Sequence, residues 1–210
     1  MQIIPSILVQ SAEAFITQTN AVQNSVKLVH IDIADGKCVP NTTWAEPNTV
    51  QQNLTIDCEL HLMVVDPLSV IQMWGGVSSV KRVLFPIEYD GDIIDVIDTI
   101  HHHGWQAGLV INLETSTLMI EPFIDKLDSV MFMGIIPGKQ GQPFVPEVLE
   151  KITEFKARHP KIFVALDGGV NEKTLPEIVA TGIDAVCCGS VIFHNERTPN
   201  ENIIRLQNLI

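Results

Sequence analysis

His30 and Asp32 stand two positions apart in the run Lys27-Leu28-Val29-His30-Ile31-Asp32-Ile33. On a strand, side chains two apart point to one face, so an imidazole and a carboxylate would leave the same strand end together. Such a pair can be half of a divalent-metal site, or a simple hydrogen-bonded couple. Asp35-Gly36 then breaks the strand, and Pro40-Asn41 keeps the following loop irregular. What the pair does depends on which other groups the chain brings to it.

The elements that must position these groups recur with a regular period. Apolar runs at 2–8, 27–33, 56–63, 80–85, 106–112, 129–135, 161–166 and 185–188 read as strands. Helices are expected at 11–24 with Ser11 as N-cap, and at 43–53, 66–74, 92–103, 116–125, 145–159, 171–180 and 200–210. Eight strand–helix units with near-continuous apolar strands predict a parallel sheet closed into a (β/α)8 barrel. An open doubly wound sheet would need a glycine-rich turn after the first strand, and Pro5-Ser6-Ile7-Leu8 has none. No linker or low-complexity stretch divides the chain, so residues 1–210 are expected to form one domain.

Composition narrows the function. A chain of 210 residues that is 46% hydrophobic can bury a large core. Its net charge of −12 argues against nucleic acid or an anionic membrane as partner. An anionic substrate would need positive potential built locally into the site. Cys38, Cys58, Cys187 and Cys188 lack metal-knuckle spacing and read as the reduced thiols of a cytoplasmic protein. The opening Met1-Gln2-Ile3-Ile4-Pro5 has no basic signal-peptide start, and no apolar run approaches membrane-span length.

In a barrel of this kind, chemistry gathers at the C-terminal ends of the strands. The polar residues expected there are Ser6, His30, Asp32, His61, Asn112 and Asp167. Taken singly, Asp167 before Gly168-Gly169 reads as a turn aspartate and His61 as a core histidine. Two histidines and two carboxylates at one mouth read together as a divalent-metal site. Glycines cluster at the same end: Gly138 and Gly141 after strand six, Gly168-Gly169 after strand seven, Gly189 after strand eight. Glycines admit close approach of backbone N–H groups to an anion, and the last two loops are a frequent phosphate site in barrels.

The chain resembles the ribulose-phosphate 3-epimerase family over nearly its whole length. The resemblance rests on Pro5-Ser6-Ile7-Leu8, on His30-x-Asp32-x-x-Asp35-Gly36-x-x-Val39-Pro40-Asn41 and on His61-Leu62-Met63. It also rests on Pro137-Gly138-x-x-Gly141-Gln142-x-Phe144, Asp167-Gly168-Gly169 and Gly189-Ser190. It implies a single-domain (β/α)8 TIM barrel of the ribulose-phosphate-binding type. It implies one divalent ion (zinc, manganese, iron or cobalt) held by His30, Asp32, His61 and Asp167. Asp32 and Asp167 would be the acid/base pair. Ser6, His61, Met63 and Met133 would lie near the sugar, and Gly138, Lys139, Gln140, Gly141, Gly168, Gly169, Val170, Gly189 and Ser190 would hold the phosphate. The implied partners are a small sugar phosphate and further copies of the chain in a homo-oligomer, with neither nucleic acid nor membrane.

Epimerising a carbon beside a ketone removes its proton on one face and returns one on the other, which calls for two acid/base groups. The pattern departs from the family in four places. Ala34 replaces a methionine, and Asn112-Leu113 replaces Asn-Pro. Pro86 stands where the family has a histidine, and the strand-six loop lacks an aromatic and a glycine. Lys139 in that loop is either a substitute contact to the phosphate or a solvated lysine. These changes leave three readings: a pentulose-5-phosphate 3-epimerase, a 3-epimerase of a hexulose 6-phosphate, and a barrel that binds a sugar phosphate without turnover. His101-His102-His103 reads as a helix end suited to the dipole, and Trp44, Trp74 and Trp105 as packing residues. Lys81-Arg82 receives no functional reading, and Glu59 reads as a supporter of His61 or part of a polar interior layer.

Overall fold

A computed structural model describes residues 1–136 and 142–210. Eight parallel strands close in sequence order into a barrel. They are β1 (Gln2–Ile7), β2 (Leu28–Ala34), β3 (Asp57–Met63), β4 (Val80–Pro86), β5 (Gln106–Ile111), β6 (Ser129–Met133), β7 (Phe163–Asp167) and β8 (Ala185–Cys188). The helices are α1 (Ala12–Val22), α2 (Pro47–Asn53), α3 (Pro67–Trp74), α4 (Ile93–His102), α5 (Val148–Arg158), α6 (Leu175–Ala180), α7 (Ser190–Phe193) and α8 (Pro199–Gln207). None of the helices described is long and apolar enough to cross a membrane.

Strand alternation divides the apolar residues into two cores. Outward residues such as Ile31, Leu60, Val83 and Leu109 pack under the helices with Phe15, Trp74 and Phe155. Inward residues Ile4, Leu84, Val110, Met131, Ala165 and Ala185 fill the barrel. His30, Asp32, Glu59 and His61 share that inward parity and are buried at 0–3% exposure. Gly108 is a glycine for lack of room: a Cβ there would meet Ser129 Oγ at 2.3 Å and Leu84 Cδ2 at 2.5 Å.

Local signals set most helix starts. Ser11 Oγ accepts from Ala14 N, Asp92 caps α4 through Ile94 N and Asp95 N, and Thr198 and Glu201 form a capping box on α8. Five expectations change, two of them because the helices expected at 145–159 and 171–180 begin only at Val148 and Leu175. The helix expected at 43–53 begins only at Pro47, because Glu46 is the N-cap and Pro47 fixes the first turn. The helix expected at 116–125 is two 3-10 turns, Thr117–Met119 and Glu121–Lys126. Pro122 has no N–H to give Leu118 O, so a continuous α-helix cannot pass it. A short helix, α7, follows β8 where a loop was expected.

The tryptophans and the histidine run behave as structural residues. Trp44 packs on Phe15 with ring centroids 5.6 Å apart, and His103 stacks on Trp105 at 4.7 Å. His101 Nε2 lies 3.1 Å from Asp128 Oδ2.

Candidate functional site

Register builds the site. The β2–β3 pairing sets His30 beside Glu59 and Asp32 beside His61. The β1–β2 pairing sets Ser6 beside His30, and β7 ends at Asp167. Thr43 clamps the end of β2: its hydroxyl donates to Asp32 O (2.7 Å) and accepts from Ala34 N (2.9 Å). Asp35 ties the loop that follows, accepting from Lys37 N and Cys38 N through Oδ1 and from Val65 N through Oδ2.

Four side chains then converge. His30 Nε2 lies 3.3 Å from Asp32 Oδ1 and 3.3 Å from His61 Nδ1. His61 Nδ1 lies 3.1 Å from Asp32 Oδ1 and 3.7 Å from Asp167 Oδ2. Donors about 2.1 Å from one ion sit roughly 3–3.5 Å from each other. The ligand atoms of His30, Asp32, His61 and Asp167 all fall within 4.8 Å of one another. Two imidazole nitrogens and two carboxylate oxygens are a donor set for a borderline divalent ion, so the residues fit such a cofactor.

The two carboxylates are in different electrostatic states. Burial favours neutral Asp32, but the His30 and His61 imidazoles outweigh it and hold Asp32 well below the usual carboxylate range. Burial and the Asp32 charge together push Asp167 up to about 6. Burial likewise opposes a charged His30, yet the Asp32 carboxylate beside it raises its pKa well above the ordinary imidazole value. Ser6 Oγ donates to Asp32 Oδ2 at 2.7 Å.

Around the cluster lies a cavity whose walls include Ser6, Asp32, Met63, Met133 and Asp167. Gly168, Gly169, Val170, Gly189 and Ser190 also line it. Gly168 (φ +94°) and Gly169 (φ +74°) adopt left-handed conformations that suit only glycine, and a Cβ on Gly168 would meet Ile135 Cγ1 at 2.4 Å. Gly138, Lys139, Gln140 and Gly141 lie outside the described residues. Asn112 and Pro86 line a second cavity, of about 550 Å³, which shares Met63 and Met133 with the first.

This geometry agrees with the comparisons to known proteins. The sequence profile described as the Ribulose-phosphate 3 epimerase family matches residues 2–193. The chain belongs to the ribulose-phosphate 3-epimerase family. A member from Schizosaccharomyces pombe, named ribulose-phosphate 3-epimerase, is 30% identical over 189 residues, covering 87% of this chain and 81% of its own. One of the same name from Escherichia coli is 31% identical over 181 residues, covering 82% and 80%. Among solved structures, a 3-hexulose-6-phosphate synthase from Salmonella typhimurium shares the fold with a TM-score of 0.74 at 14% identity, covering 100% of this chain and 98% of its own. The orotidine 5'-monophosphate decarboxylase from Sulfolobus solfataricus does so at 0.70 and 10%, covering 100% and 97%.

Sequence reasoning missed several contributors to this ribulose-phosphate 3-epimerase-type site. Glu59 meets His30, not His61: its Oε1 lies 2.7 Å from His30 Nδ1. Arg82, given no role from sequence, pairs with Glu59 Oε2 at 2.9 Å. The partners of both depend on the register between strands, which spacing within one strand does not carry. Thr43 carried no signal, since its bonds to β2 depend on the course of an irregular loop.

Proposed function

We propose that the protein interconverts D-ribulose 5-phosphate and D-xylulose 5-phosphate by epimerisation at C3. Asp32 and Asp167 move the protons, and His30, Asp32, His61 and Asp167 hold a divalent ion. When bound, that ion supplies positive charge that stabilises the developing enediolate.

The observation that carries this reading is the pair of carboxylates, held in opposite protonation preferences on one cavity. Asp32 is the ionised member, suited to take the C3 proton. Its Oδ2, the oxygen not engaged with the imidazoles, is the acceptor, and the Ser6 hydroxyl holds it in place. Asp167, whose carboxyl in the metal-free chain is pushed up to about 6, is the more basic of the two and serves the opposite face of the planar intermediate. In the reverse direction the two exchange roles. The backbone of Gly168–Val170 and Gly189–Ser190 offers N–H groups to the phosphate. That local polarity answers the problem set by a net charge of −12 around an anionic substrate. Met63 and Met133 form an apolar wall on the sugar that excludes water from the reacting carbon.

A hexulose 6-phosphate is the second reading. The 550 Å³ cavity beyond Met63 and Met133 favours it, since its walls include the polar groups Glu88 and Asn112. A ketose one carbon longer has one more hydroxylated carbon between C3 and its phosphate, and this space with its polar walls would take the bend of that longer chain. The test is exchange of the C3 proton with deuterated solvent, followed by NMR for a panel of pentulose 5-phosphates and hexulose 6-phosphates. Turnover of ribulose 5-phosphate with the highest kcat/KM supports the first reading; a hexulose 6-phosphate ahead of it supports the second. No exchange with any ketose phosphate in metal-replete protein would reject both.

A further inference from the structure

Among the described residues, the barrel interior below the cluster is largely apolar, and beside buried Ser129 it holds one polar row. His30, Glu59, Arg82 and Gln106 are register partners across β2, β3, β4 and β5. Glu59 Oε1 lies 2.7 Å from His30 Nδ1, and Glu59 Oε2 accepts from Arg82 Nη1 at 2.9 Å. Arg82 Nε and Nη2 donate to Gln106 Oε1 at 3.1 and 2.9 Å, and its guanidinium lies 4.4 Å over the Phe163 ring. The Glu59 side chain is 0% exposed and that of Arg82 11%.

Charges buried in an apolar layer are costly to desolvate, and an apolar pair of similar volume would often be as stable or more so. The row therefore has a use beyond packing. Both oxygens of Glu59 are occupied, one by an imidazole and one by a guanidinium, which fixes the carboxylate in place. As acceptor from His30 Nδ1, it demands that the proton sit on that nitrogen. In the neutral ring that a metal ligand must be, the lone pair is then on Nε2, the atom that faces Asp32 and His61.

We propose that Glu59 and Arg82 are positioning residues that fix the tautomer and aim of His30 and thereby set the site's affinity for a divalent cation. The inference rests on the reading of His30, Asp32, His61 and Asp167 as metal ligands. Carboxylate partners of this kind change metal affinity by about 10–100-fold when removed. Arg82 acts one step further out, by holding Glu59 against the ring. Cys187 Sγ, 3.6 Å from both His30 Nδ1 and Glu59 Oε1, is a minor neighbour, since burial pushes its thiol up and keeps it neutral.

The test uses metal-stripped protein titrated with Zn²⁺ alone by equilibrium dialysis. Glu59→Gln keeps the side chain's size and removes its charge; Arg82→Met removes the clamp; Arg82→Lys restores a point charge. Glu59→Gln and Arg82→Met should each bind Zn²⁺ about 10–100-fold more weakly, with Arg82→Lys recovering part of the loss. In ¹⁵N spectra of the Zn²⁺-loaded chain, the parent His30 ring should carry its one proton at Nδ1 and bind through Nε2, and Glu59→Gln should show a mixture of ring states. At saturating Zn²⁺, KM should stay at the parent value in both variants. If both bind Zn²⁺ at parent affinity with the His30 tautomer unchanged, and only the unfolding midpoint moves, the pair is structural and the inference falls. His61→Ala separates this from failure of the ligand reading. If His61→Ala loses Zn²⁺ while the other two keep it, only the positioning role is lost. If His61→Ala keeps it too, the ligand set itself is wrong.

Discussion

Asp32 and Asp167 flank one imidazole: His61 Nδ1 lies 3.1 Å from Asp32 Oδ1 and 3.7 Å from Asp167 Oδ2. Two carboxylates this close cannot both ionise without opposition, and the structure resolves the conflict unequally. The imidazoles favour Asp32, which stays ionised, and the cost falls on Asp167, which is raised to about 6. In the proposed function, proton transfer in both directions and cation binding are two uses of that one asymmetry.

The asymmetry predicts a pH dependence for the metal-free protein. The folded pKa of Asp167 lies above its unfolded value, so its contribution to stability is full below the ordinary carboxylate pKa. That contribution is lost as pH rises through about 6. His30, also raised, works in the same direction at higher pH. Asp32 and Glu59 are lowered, so their contributions persist until the pH falls below the usual carboxylate range. The metal-stripped protein should therefore melt at a higher temperature near pH 5 than near pH 8, and Asp167→Asn should shrink the difference. The metal-loaded protein should show the reverse trend, because ligands must lose protons to bind the ion. Melting curves across this range, with and without added ion, decide it; parallel trends in both forms would contradict the assignment.

His61→Ala should lower metal content and epimerase activity together. The ring contributes the nitrogen nearest to both carboxylates, and the remaining three groups leave a gap where it stood. Metal analysis after dialysis, read beside kcat, tests this. Full stoichiometry with lost activity would move His61 from ligand to another role.

Gly189→Val should raise KM for the ketose phosphate strongly and leave metal content unchanged. Gly189 is the N-cap of α7 and a wall of the first cavity, with φ of −100°. That φ lies outside the left-handed region, so the new side chain acts mainly by holding the anion away from the backbone. An unchanged KM would place the phosphate elsewhere.

The sequence carried most of this arrangement where the signal was local. Strand parity put His30, Asp32 and His61 on inward faces, and caps such as Ser11 and Asp66 marked helix starts. It failed where the outcome depends on neighbours distant in the chain. Spacing leaves Glu59 either as a supporter of His61 or as part of a polar interior layer; β2–β3 register sets it against His30, in the second of these. Arg82 looked like a loop-side charge until β4 closed beside β3. The apolar character of 116–125 suggested a helix, and Pro122 divided it into 3-10 turns. No spacing argument separates Asp32 from Asp167 in protonation, because that difference arises from burial and from which imidazole each meets.

The sharpest prediction concerns Asp167→Asn in metal-replete protein. The substitution keeps shape but removes the group proposed to hold the second proton, and general acid–base catalysis is worth about 10²–10⁴-fold. Epimerisation should fall by at least that much, further if ligation weakens, so the measurement is made with excess divalent ion to separate the two effects. Asp32 remains ionised beside His30 and His61, and it loses a neighbouring negative charge in the variant. It can therefore still take the C3 proton on its own face and return one there. Deuterium should enter C3 from solvent at a measurable rate while the configuration is retained. Asp32→Asn should show the mirror result with the other epimer as substrate. Exchange without inversion is the signature of one surviving base, and NMR of the recovered sugar reads both quantities at once. Near-parental epimerisation by metal-replete Asp167→Asn would mean that another residue serves the second face, and the two-aspartate assignment would have to be abandoned.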